Sequence, residues 1–306
     1  MKTQATKSKG IALLTVIFLT ALAALTLSSF SLSQRSALQS INTSEDVSRA
    51  WSLLELLEQE AIEVLKQDIS QSLIDDNREL WSQHQFQVSS VLTEFRQAEI
   101  SAKISDEQSK INLNNLMFNG QLDPVTEDRL RRLLRSQQIS DALLDGVIDW
   151  LDDDAILISN VGAEDDFYRS LDSPYLAANT AFSDISELRL IRGFNDQNYA
   201  LLRPYLTALP KRTAVNINTA APVMIASLDK ALDGIGLLQT PFEDISKLTK
   251  QIEPLHINSE GLATNSSYFL LKSKIRLADY SLAVESLIYR ENHQNTRIIK
   301  RAISHE

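Results

Sequence analysis

Acidic residues crowd two neighbouring stretches of this sequence. The stretch Asp149–Asp154 contains four aspartates, and Glu164–Asp166 adds three more carboxylates after a short gap. Carboxylates this close repel one another, and each resists ionisation unless a cation or solvent relieves the field. Ca²⁺ takes about 6–8 oxygen ligands, and aspartates spaced as Asp152 and Asp154 can converge on one ion with backbone carbonyls and water. The spacing therefore permits a calcium site, and it equally permits a solvated acidic loop.

Other chemistry finds little support in the residue types. The acidic stretches lack the central glycine and terminal glutamate of an EF-hand loop. Two carboxylates can act as an acid and base pair, as in glycosidases, but no second polar constellation accompanies them here. The four histidines are scattered without ligand spacing, and the absence of cysteine excludes disulfides, thiolate metal sites and a cysteine nucleophile. The formal net charge of −10 argues against nucleic acid as the main partner. We therefore expect a binding or structural protein rather than an enzyme.

The N-terminal segment is apolar and uncharged. From Gly10 to Ser33 no residue is ionisable, and a helix of this length, at about 1.5 Å per residue, crosses a hydrocarbon core of about 30 Å. Lysines precede the run and only Arg35 follows it closely, which places the N-terminus in the cytoplasm. We therefore expect residues 11–33 to span the bacterial inner membrane once, with the rest of the chain in the periplasm. The alternative is an export signal cut near Ala21–Ala24.

Helical spacing of apolar residues continues beyond this run. Charged residues fill much of the opposite face, so we expect one amphipathic helix from about residue 11 to about residue 65. The apolar positions are Leu38, Ile41, Val47, Ala50, Leu54, Leu57, Ala61, Val64 and Leu65.

Strand patterns frame a long helical stretch. Phe86–Val91 is a possible strand, Ile100–Ile104 alternates apolar and polar residues, and alternation resumes near the C-terminus. The interval 111–257 shows helical spacing and exceeds any ordinary loop, so we interpret it as an inserted domain. The predicted helices are Glu127–Arg135, Asp141–Trp150, Ser183–Ile191, Asn198–Pro204, Pro222–Leu232 and Phe242–Ile252, and the C-terminal strands are Tyr268–Ala278, Leu282–Arg290 and Thr296–Ile303.

A weak internal repeat lies inside that interval. Lys110–Leu116 and Ala214–Ala220 share an apolar-Asn-apolar-Asn core, in which Asn can cap a helix or close an Asx turn. Both pieces resemble the entry to a helix-hairpin-helix unit, with Leu232–Gly236 as a hairpin. Some such hairpins bind a nucleic-acid phosphate through backbone N–H groups. Acidic residues balance the basic ones between positions 211 and 260, so a packing role is favoured over DNA binding.

These features in order resemble the type II secretion minor pseudopilin K family, also called general secretion pathway protein K. The stretch Lys9–Leu14, in which a leader ending at Gly10 is followed by an apolar run, looks like a prepilin peptidase site with cleavage between Gly10 and Ile11. Thr15 stands where most pilin-like subunits carry glutamate. The other matching motifs are Lys110–Asn114, Asp149–Asp152 with Asp154, Gly162–Asp165 with Tyr168, Pro174–Tyr175, Ala178–Asn179, Ser186–Arg189, Arg192–Phe194, Pro204–Leu206 and Asn216–Ala220.

The resemblance implies an α+β fold, with a pilin-like N-terminal helix packed on a small antiparallel sheet and a large inserted all-α domain containing helix-hairpin-helix or SAM-like units. The implied ranges are 1–10 for the leader, 11–33 for the membrane span, 34–110 for the helix and first part of the head, 111–258 for the α-domain and 259–306 for the C-terminal strands.

The resemblance also implies a function at the tip of the periplasmic pseudopilus. The partners would be minor pseudopilins I and J, with H and the rest of the secretion apparatus as further candidates, together with the inner membrane and prepilin peptidase. Thr15 would mark the tip position, because the usual glutamate serves a neighbouring subunit that a tip lacks on one side. Calcium is implied in the α-domain, and the candidate ligands are Asp152, Asp154, Glu164 and Asp165, with Asp153 and Asp166 less favoured.

Two rival functions remain open at this point. A membrane-anchored DNA-uptake protein would use the helix-hairpin-helix units, and its soluble part would bind heparin or DNA. A secreted hydrolase would use the acidic stretches, and its mature chain would begin near Ser28 rather than at Ile11.

Overall fold

A computed structural model describes residues 8–86, 98–229, 232, 241–251, 258–277 and 280–304. Within these ranges the helices are α1 (Ser8–Gln71), α2 (Leu80–Gln83), α3 (Pro124–Ser136), α4 (Leu143–Leu151), α5 (Asp165–Arg169), α6 (Asp196–Leu202), α7 (Pro222–Leu228) and α8 (Ile245–Gln251). The strands are β1 (Ala98–Asp106), β2 (Ile111–Asn112), β3 (Met117–Phe118), β4 (Gln121–Leu122), β5 (Leu206–Thr207), β6 (Val215–Asn216), β7 (Leu262–Ala263), β8 (Tyr268–Leu277), β9 (Tyr280–Arg290) and β10 (Thr296–Ile303). Short 3₁₀ helices lie at Glu107–Ser109, Leu113–Asn115, Ile185–Leu190 and Arg203–Tyr205.

The chain divides into two compact units, each assembled from separated segments. The predicted domain ranges follow sequence order instead, and they stay a prediction. The first unit contains Met1–Leu56, Val88–Ile100 and Lys274–Leu282, and the second contains Leu57–Gln87, Ser101–Ser273 and Ala283–Glu306.

Helix α1 confirms the predicted amphipathic helix and continues to Gln71. Ala50 and Leu54 are buried in the first unit, and Leu57, Ala61 and Leu65 are buried in the second. These residues recur at three and four positions, so they form one apolar stripe along the helix.

The N-terminal residues singled out by the sequence lie in α1. Gly10 and Ile11 are helical, and Thr15 is helical with an exposed side chain. Among the described residues, no helix is apolar over enough consecutive positions to cross a membrane. Cleavage between Gly10 and Ile11 and the membrane span over residues 11–33 therefore stay predictions.

The main sheet has the strand order β1-β8-β9-β10, and β9 and β10 pair antiparallel. In β8, the buried Leu271 and Ile275 alternate with the exposed Lys272 and Lys274, as the sequence predicts. The three predicted C-terminal strands are confirmed. The possible strand at Phe86–Val91 lies almost wholly outside the described residues.

Within the second unit, a buried carboxylate connects α1 to the sheet. Glu58 accepts a hydrogen bond from Ser286 on β9 at 2.6 Å and forms an ion pair with Arg301 on β10 at 2.7 Å. Because Glu58 is 2% exposed, solvent competes little for these contacts. They hold the C-terminal part of α1 against two strands of the sheet.

Between β1 and β8 helices are the main regular elements, joined by loops and the two-residue strands β2 to β7. A helix is present in each predicted helical range, although the one within Ser183–Ile191 is a 3₁₀ helix. The hydrophobic core of this stretch contains side chains from many segments, including the fully buried Leu133 and Met224. The molecule is therefore of the α+β class. The proposed hairpin falls largely outside the described residues, since positions 233–240 are not described.

The two Asn motifs make the same pair of contacts. Asn114 donates to the carbonyl of Phe182 at 2.9 Å and accepts from its N–H at 2.7 Å. Asn218 donates to the carbonyl of Phe242 at 3.0 Å and accepts from its N–H at 2.8 Å. Each motif also begins with a two-residue strand in a parallel pair, β2 with β5 and β6 with β7. The sequence repeat is thus a structural repeat.

A buried polar cluster joins the second motif to the ends of the main sheet. Oδ2 of Asp106, at the end of β1, accepts hydrogen bonds from Thr219 at 2.5 Å, Ser266 at 2.6 Å and Asn216 at 3.2 Å. Asn216 also donates to the carbonyl of Asp75 at 3.1 Å. These bonds fix the start and the end of the helical stretch at one place beside the sheet.

Candidate metal centre

Helix α4 carries the first carboxylates of the acidic cluster. Leu144, Ile148 and Leu151 are buried at helical spacing, which anchors the helix in the core. Asp149 lies in the last turn and is fully buried, and Asp152 follows as the C-terminal cap residue. The end of α4 therefore directs two carboxylates toward the loop that follows.

That loop returns to helix α5 and brings in the other carboxylates. Asp154 Oδ1 accepts a hydrogen bond from the N–H of Ile156 at 2.7 Å. Glu164 precedes α5, but its side chain makes no capping hydrogen bond to the helix. Gly162 lets the loop pass close to the carboxylate of Asp149, because a Cβ at position 162 would lie 1.8 Å from Oδ2 of Asp149.

Three carboxylates converge at this place. Asp152, Asp154 and Glu164 each offer one oxygen, and these oxygens all lie within 4.8 Å of one another. Asp149 Oδ2, Asp152 Oδ1 and Glu164 Oε1 are buried without a hydrogen-bond partner. Buried acceptors left without a donor destabilise a fold, and within the described ranges no lysine or arginine forms an ion pair with these side chains. A hard cation would satisfy these oxygens, so the residues fit a calcium ion.

The pKa values reflect the same crowding. Burial, then repulsion from Asp154 and Asp149, raises the pKa of Asp152 to about 6. Burial, then repulsion from Asp149 and Asp152, raises the pKa of Glu164 to about 7. The pKa of Asp149 is also raised, chiefly by burial. Each carboxylate thus holds its proton more tightly than in water, and a cation would have to displace it.

The structure brings together three of the four predicted ligands. Asp165 lies next to Glu164 in sequence, but its Oδ1 accepts from the N–H of Ala177 at 3.0 Å and its Oδ2 pairs with Arg169 at 2.8 Å. Its place among the ligands stays a prediction, although the structure gives its oxygens other partners. Asp153 and Asp166 are exposed.

Sequence reasoning passed over Asp149 as a candidate ligand. The signal was present, because Asp149 is an acidic residue on the strongly apolar helix α4, one turn before Asp152. Its buried, unpaired oxygen makes it part of the cluster.

Aromatic residues pack together on the elements that carry the cluster. Trp150 packs edge-on against Tyr168 with ring centroids 5.3 Å apart, and Tyr168 stacks on Tyr175 at 5.2 Å. Arg192 donates to the carbonyl of Gly162 at 3.1 Å. These contacts hold the helix end and the returning loop together.

A second group of three carboxylates consists of Asp68, Asp75 and Glu79. Here the cation is supplied by the protein, because the buried Arg290 pairs with Asp68 at 2.8 Å and also with Asp75. The guanidinium already pairs with two of these three carboxylates, so the cluster around Asp152 is the better candidate metal centre.

We compared the chain with protein families and with solved structures. A family model described as "Type II secretion system (T2SS), protein K" matches residues 109–211. The protein K of Pseudomonas aeruginosa is 27% identical and aligns with 95% of this chain and 92% of its own length. The protein of Aeromonas hydrophila is 31% identical over 66% of this chain and 70% of its own. That of Klebsiella pneumoniae is 33% identical over 72% and 69%.

Among solved structures, the chain matches one chain of the GspK–GspI–GspJ complex from the type 2 secretion system of enterotoxigenic Escherichia coli. The TM-score is 0.77 at 23% identity, and the match covers 87% of this chain and 99% of that one. The molecule therefore has the fold of a component of that secretion complex. Given the identities and coverage of its relatives, the chain belongs to the type II secretion system protein K family. Its role is that of a minor pseudopilin in type II secretion.

Proposed function

We propose that this chain occupies the tip of the pseudopilus with minor pseudopilins I and J, where the three initiate pseudopilus assembly. In this role it supports the export of folded proteins from the periplasm across the outer membrane. The observation that carries the proposal is the match to a chain solved in a complex of K, I and J. The match covers 87% of this chain and 99% of that one. Contacts with H and the rest of the secretion apparatus belong to the same proposal.

The sequence supports a membrane-anchored subunit. We propose that prepilin peptidase cuts between Gly10 and Ile11, that residues 11–33 remain as an inner-membrane span, and that the remainder is periplasmic. The absence of ionisable residues from Gly10 to Ser33 supports this arrangement. In the head, residues 111–258 would form an α-domain inserted into a pilin-like unit.

The tip assignment is tested by co-purification of full-length proteins. The tagged chain is co-expressed with I and J and extracted from membranes in a mild detergent. We expect I and J to be retained together, because three stems and heads that initiate a filament must form a stable complex. A well-folded chain that retains neither partner would contradict the assignment.

Calcium binding by Asp152, Asp154 and Glu164 is part of the proposed function. Asp149 would support them from the buried side, through its unpaired oxygen. The bound ion would neutralise the mutual repulsion of the carboxylates and join the end of α4 to the start of α5. This is a structural role, in which the ion stabilises the fold.

The calcium site is tested by Glu164→Gln, which keeps the shape of the side chain and removes its charge. Calorimetric titration should show calcium binding to the unmodified protein and at least about tenfold weaker binding to the variant, since one charged ligand is lost. Calcium at about 100 times its Kd should stabilise the unmodified protein by about 2.7 kcal/mol. Asp166→Asn, at an exposed position, is the matched control and should bind like the unmodified chain. Equal binding by Glu164→Gln would show that the site lies elsewhere.

We further propose that the chain has no catalytic activity. Its family is a structural component of a secretion system, and the acidic cluster is crowded in the manner of a cation site. No structural feature among the described residues favours the DNA-uptake or hydrolase alternative.

A further inference from the structure

Three consecutive aliphatic side chains protrude beside the candidate metal centre. Ile156, Leu157 and Ile158, here called the aliphatic tip, are 73%, 50% and 50% exposed. Outside helix α1, the described residues contain no other run of three exposed large aliphatic residues. Single exposed aliphatic residues are ordinary on a protein surface, whereas a contiguous apolar patch marks an interaction site.

The aliphatic tip is held by carboxylates of the cluster. The N–H of Ile156 donates to Oδ1 of Asp154 at 2.7 Å, and the N–H of Ile158 donates to Oδ1 of Asp149 at 3.0 Å. Asp154 is also one of the three converging side chains, and Oδ2 of Asp149 is buried without a hydrogen-bond partner. Whatever fixes these two carboxylates therefore also fixes the backbone of the tip.

The charge around the aliphatic tip defines the partner. Asp153 and Asp166 are exposed. Arg169 lies 3.7 Å from Asp166 and also pairs with Asp165, but the seven carboxylates of the two acidic stretches outnumber this arginine and one divalent cation together, so the region around the tip stays acidic. Anionic lipid headgroups would be repelled by this acidic rim, whereas lysine and arginine side chains would be attracted to it. The surface complementary to the tip is thus apolar at its centre and basic at its edge.

We propose that the aliphatic tip is a calcium-dependent docking element for an amphipathic protein surface, apolar at its centre and bordered by lysine or arginine. This rests on the calcium site of the proposed function. With the cation bound, Asp149 and Asp154 are held in place and the tip keeps one conformation that can pack against such a surface. Without it, the crowded carboxylates repel one another and the tip loses its fixed backbone, so docking becomes weaker.

The test uses the full chain in neutral phosphatidylcholine nanodiscs. The probe is a labelled synthetic helical peptide with leucine at positions i, i+3, i+4 and i+7 and lysine elsewhere, and its binding is followed by fluorescence anisotropy. We expect chelation of calcium, or Leu157→Asn, to weaken peptide binding by about tenfold or more, as expected when one leucine side chain is no longer buried. Leu73→Asn is the matched control, because Leu73 is 85% exposed at a different place.

Further measurements separate the alternatives. A peptide with glutamate in place of lysine should not bind, and equal binding would overturn the basic-rim assignment. Equal affinity with and without calcium, or an unchanged affinity in Leu157→Asn, would overturn the docking element. Calcium-dependent binding to phosphatidylglycerol vesicles that Leu157→Asn abolishes would identify a membrane as the partner and overturn the protein assignment.

Calcium titration of the same samples distinguishes this inference from the calcium site itself. Leu157→Asn should bind calcium like the unmodified chain, because its side chain is not a ligand. Normal calcium binding without calcium-dependent peptide binding overturns only the docking element. No calcium binding by the unmodified chain would overturn both.

Discussion

At the scale of single residues, the two acidic groups of this chain differ in whether a side chain of the protein neutralises them. Arg290 lies between Asp68 and Asp75, so the buried charges there are paired within the protein. Asp152 and Glu164 have no such side chain among the described residues, and their unpaired oxygens accept nothing from the protein. In the first group an arginine of the chain pairs with two of the carboxylates, whereas in the second a bound cation would satisfy the unpaired oxygens.

Arg290→Met should destabilise the protein strongly. The substitution leaves two buried carboxylates without a counter-ion, and breaking a buried pair in this way costs about 3–5 kcal/mol. Urea unfolding measures the change. Arg297→Met, at an exposed position, should change the free energy of unfolding by about 0.5 kcal/mol or less. Equal effects of the two substitutions would show that the buried pairs contribute nothing.

The buried Asp106 should make stability depend on pH. Burial raises its pKa to about 6, although Ser266 and Thr219 donate hydrogen bonds to the carboxylate. The folded state therefore holds a proton that the unfolded chain releases above about pH 4, so the free energy of unfolding falls as the pH rises from about 4 to about 6. Asp106→Asn should reduce this fall by up to about 3 kcal/mol, as measured by urea unfolding at a series of pH values.

Asp172→Asn is the control for this pH series, because Asp172 is exposed. Its stability should follow the same pH profile as the unmodified chain. If the Asp106→Asn profile also runs parallel to that of the unmodified chain, Asp106 does not titrate in this range.

The composition of the acidic cluster was only partly predictable. The spacing of Asp152 and Asp154 alone permits a shared ion, whereas Glu164 and Asp165 enter the candidate set through the family resemblance. At the start of α5, the oxygens of Asp165 contact Arg169 and a backbone N–H instead. Sequence spacing does not specify the direction of a side chain at a helix start.

At the scale of elements, local periodicity predicted the helices and strands well. The stripe along α1 and the alternation in β8 each depend on neighbouring residues only, so the sequence shows them directly. The Asn motifs were recognised as turns or caps, and Asn112 and Asn216 do accept hydrogen bonds from the N–H two residues later. The contacts with Phe182 and Phe242 were not predictable, because those partners are distant in sequence.

Asn114→Ala and Asn218→Ala should each destabilise the helical stretch by about 2–4 kcal/mol. Each substitution leaves a backbone N–H and a carbonyl of the facing Phe without their partner, and buried polar groups without partners cost about 1–3 kcal/mol each. Thermal and urea unfolding measure the loss. Asn195→Ala removes an exposed helix cap and should cost only about 1 kcal/mol. A loss no larger than this control would show that the backbone contacts are replaced by water.

At the scale of the whole molecule, the order of sheet, long helical stretch and sheet followed from the sequence, and the structure confirms it. The division into two units was not predicted, since each unit combines segments that are distant in sequence. Long-range pairings of this kind, such as β6 with β7, depend on contacts that a local pattern does not contain.

Placement of the chain at the tip leads to a prediction for Thr15→Glu. A tip subunit lacks one neighbour, so restoring the glutamate usual in pilin-like subunits should leave secretion nearly unchanged. The amount of exported enzyme in the culture medium measures secretion, and N-terminal sequencing should show Ile11 first. Gly10→Val should block cleavage and secretion together. Normal processing with a severe secretion defect in Thr15→Glu would contradict the tip position.

The bond between Asp106 and Ser266 has a consequence for how this architecture can change. These residues end β1 and precede β8, which are neighbours in the sheet, and they lie in direct contact at 2.6 Å. The whole helical stretch is therefore topologically equivalent to a hairpin turn. Because loop-closure entropy grows only slowly with length, lengthening such a turn costs little closure entropy. A grafted foreign domain with closely spaced termini would keep the strand order, but it would have to replace the hydrogen bonds that Thr219 and Asn216 donate to the buried Asp106.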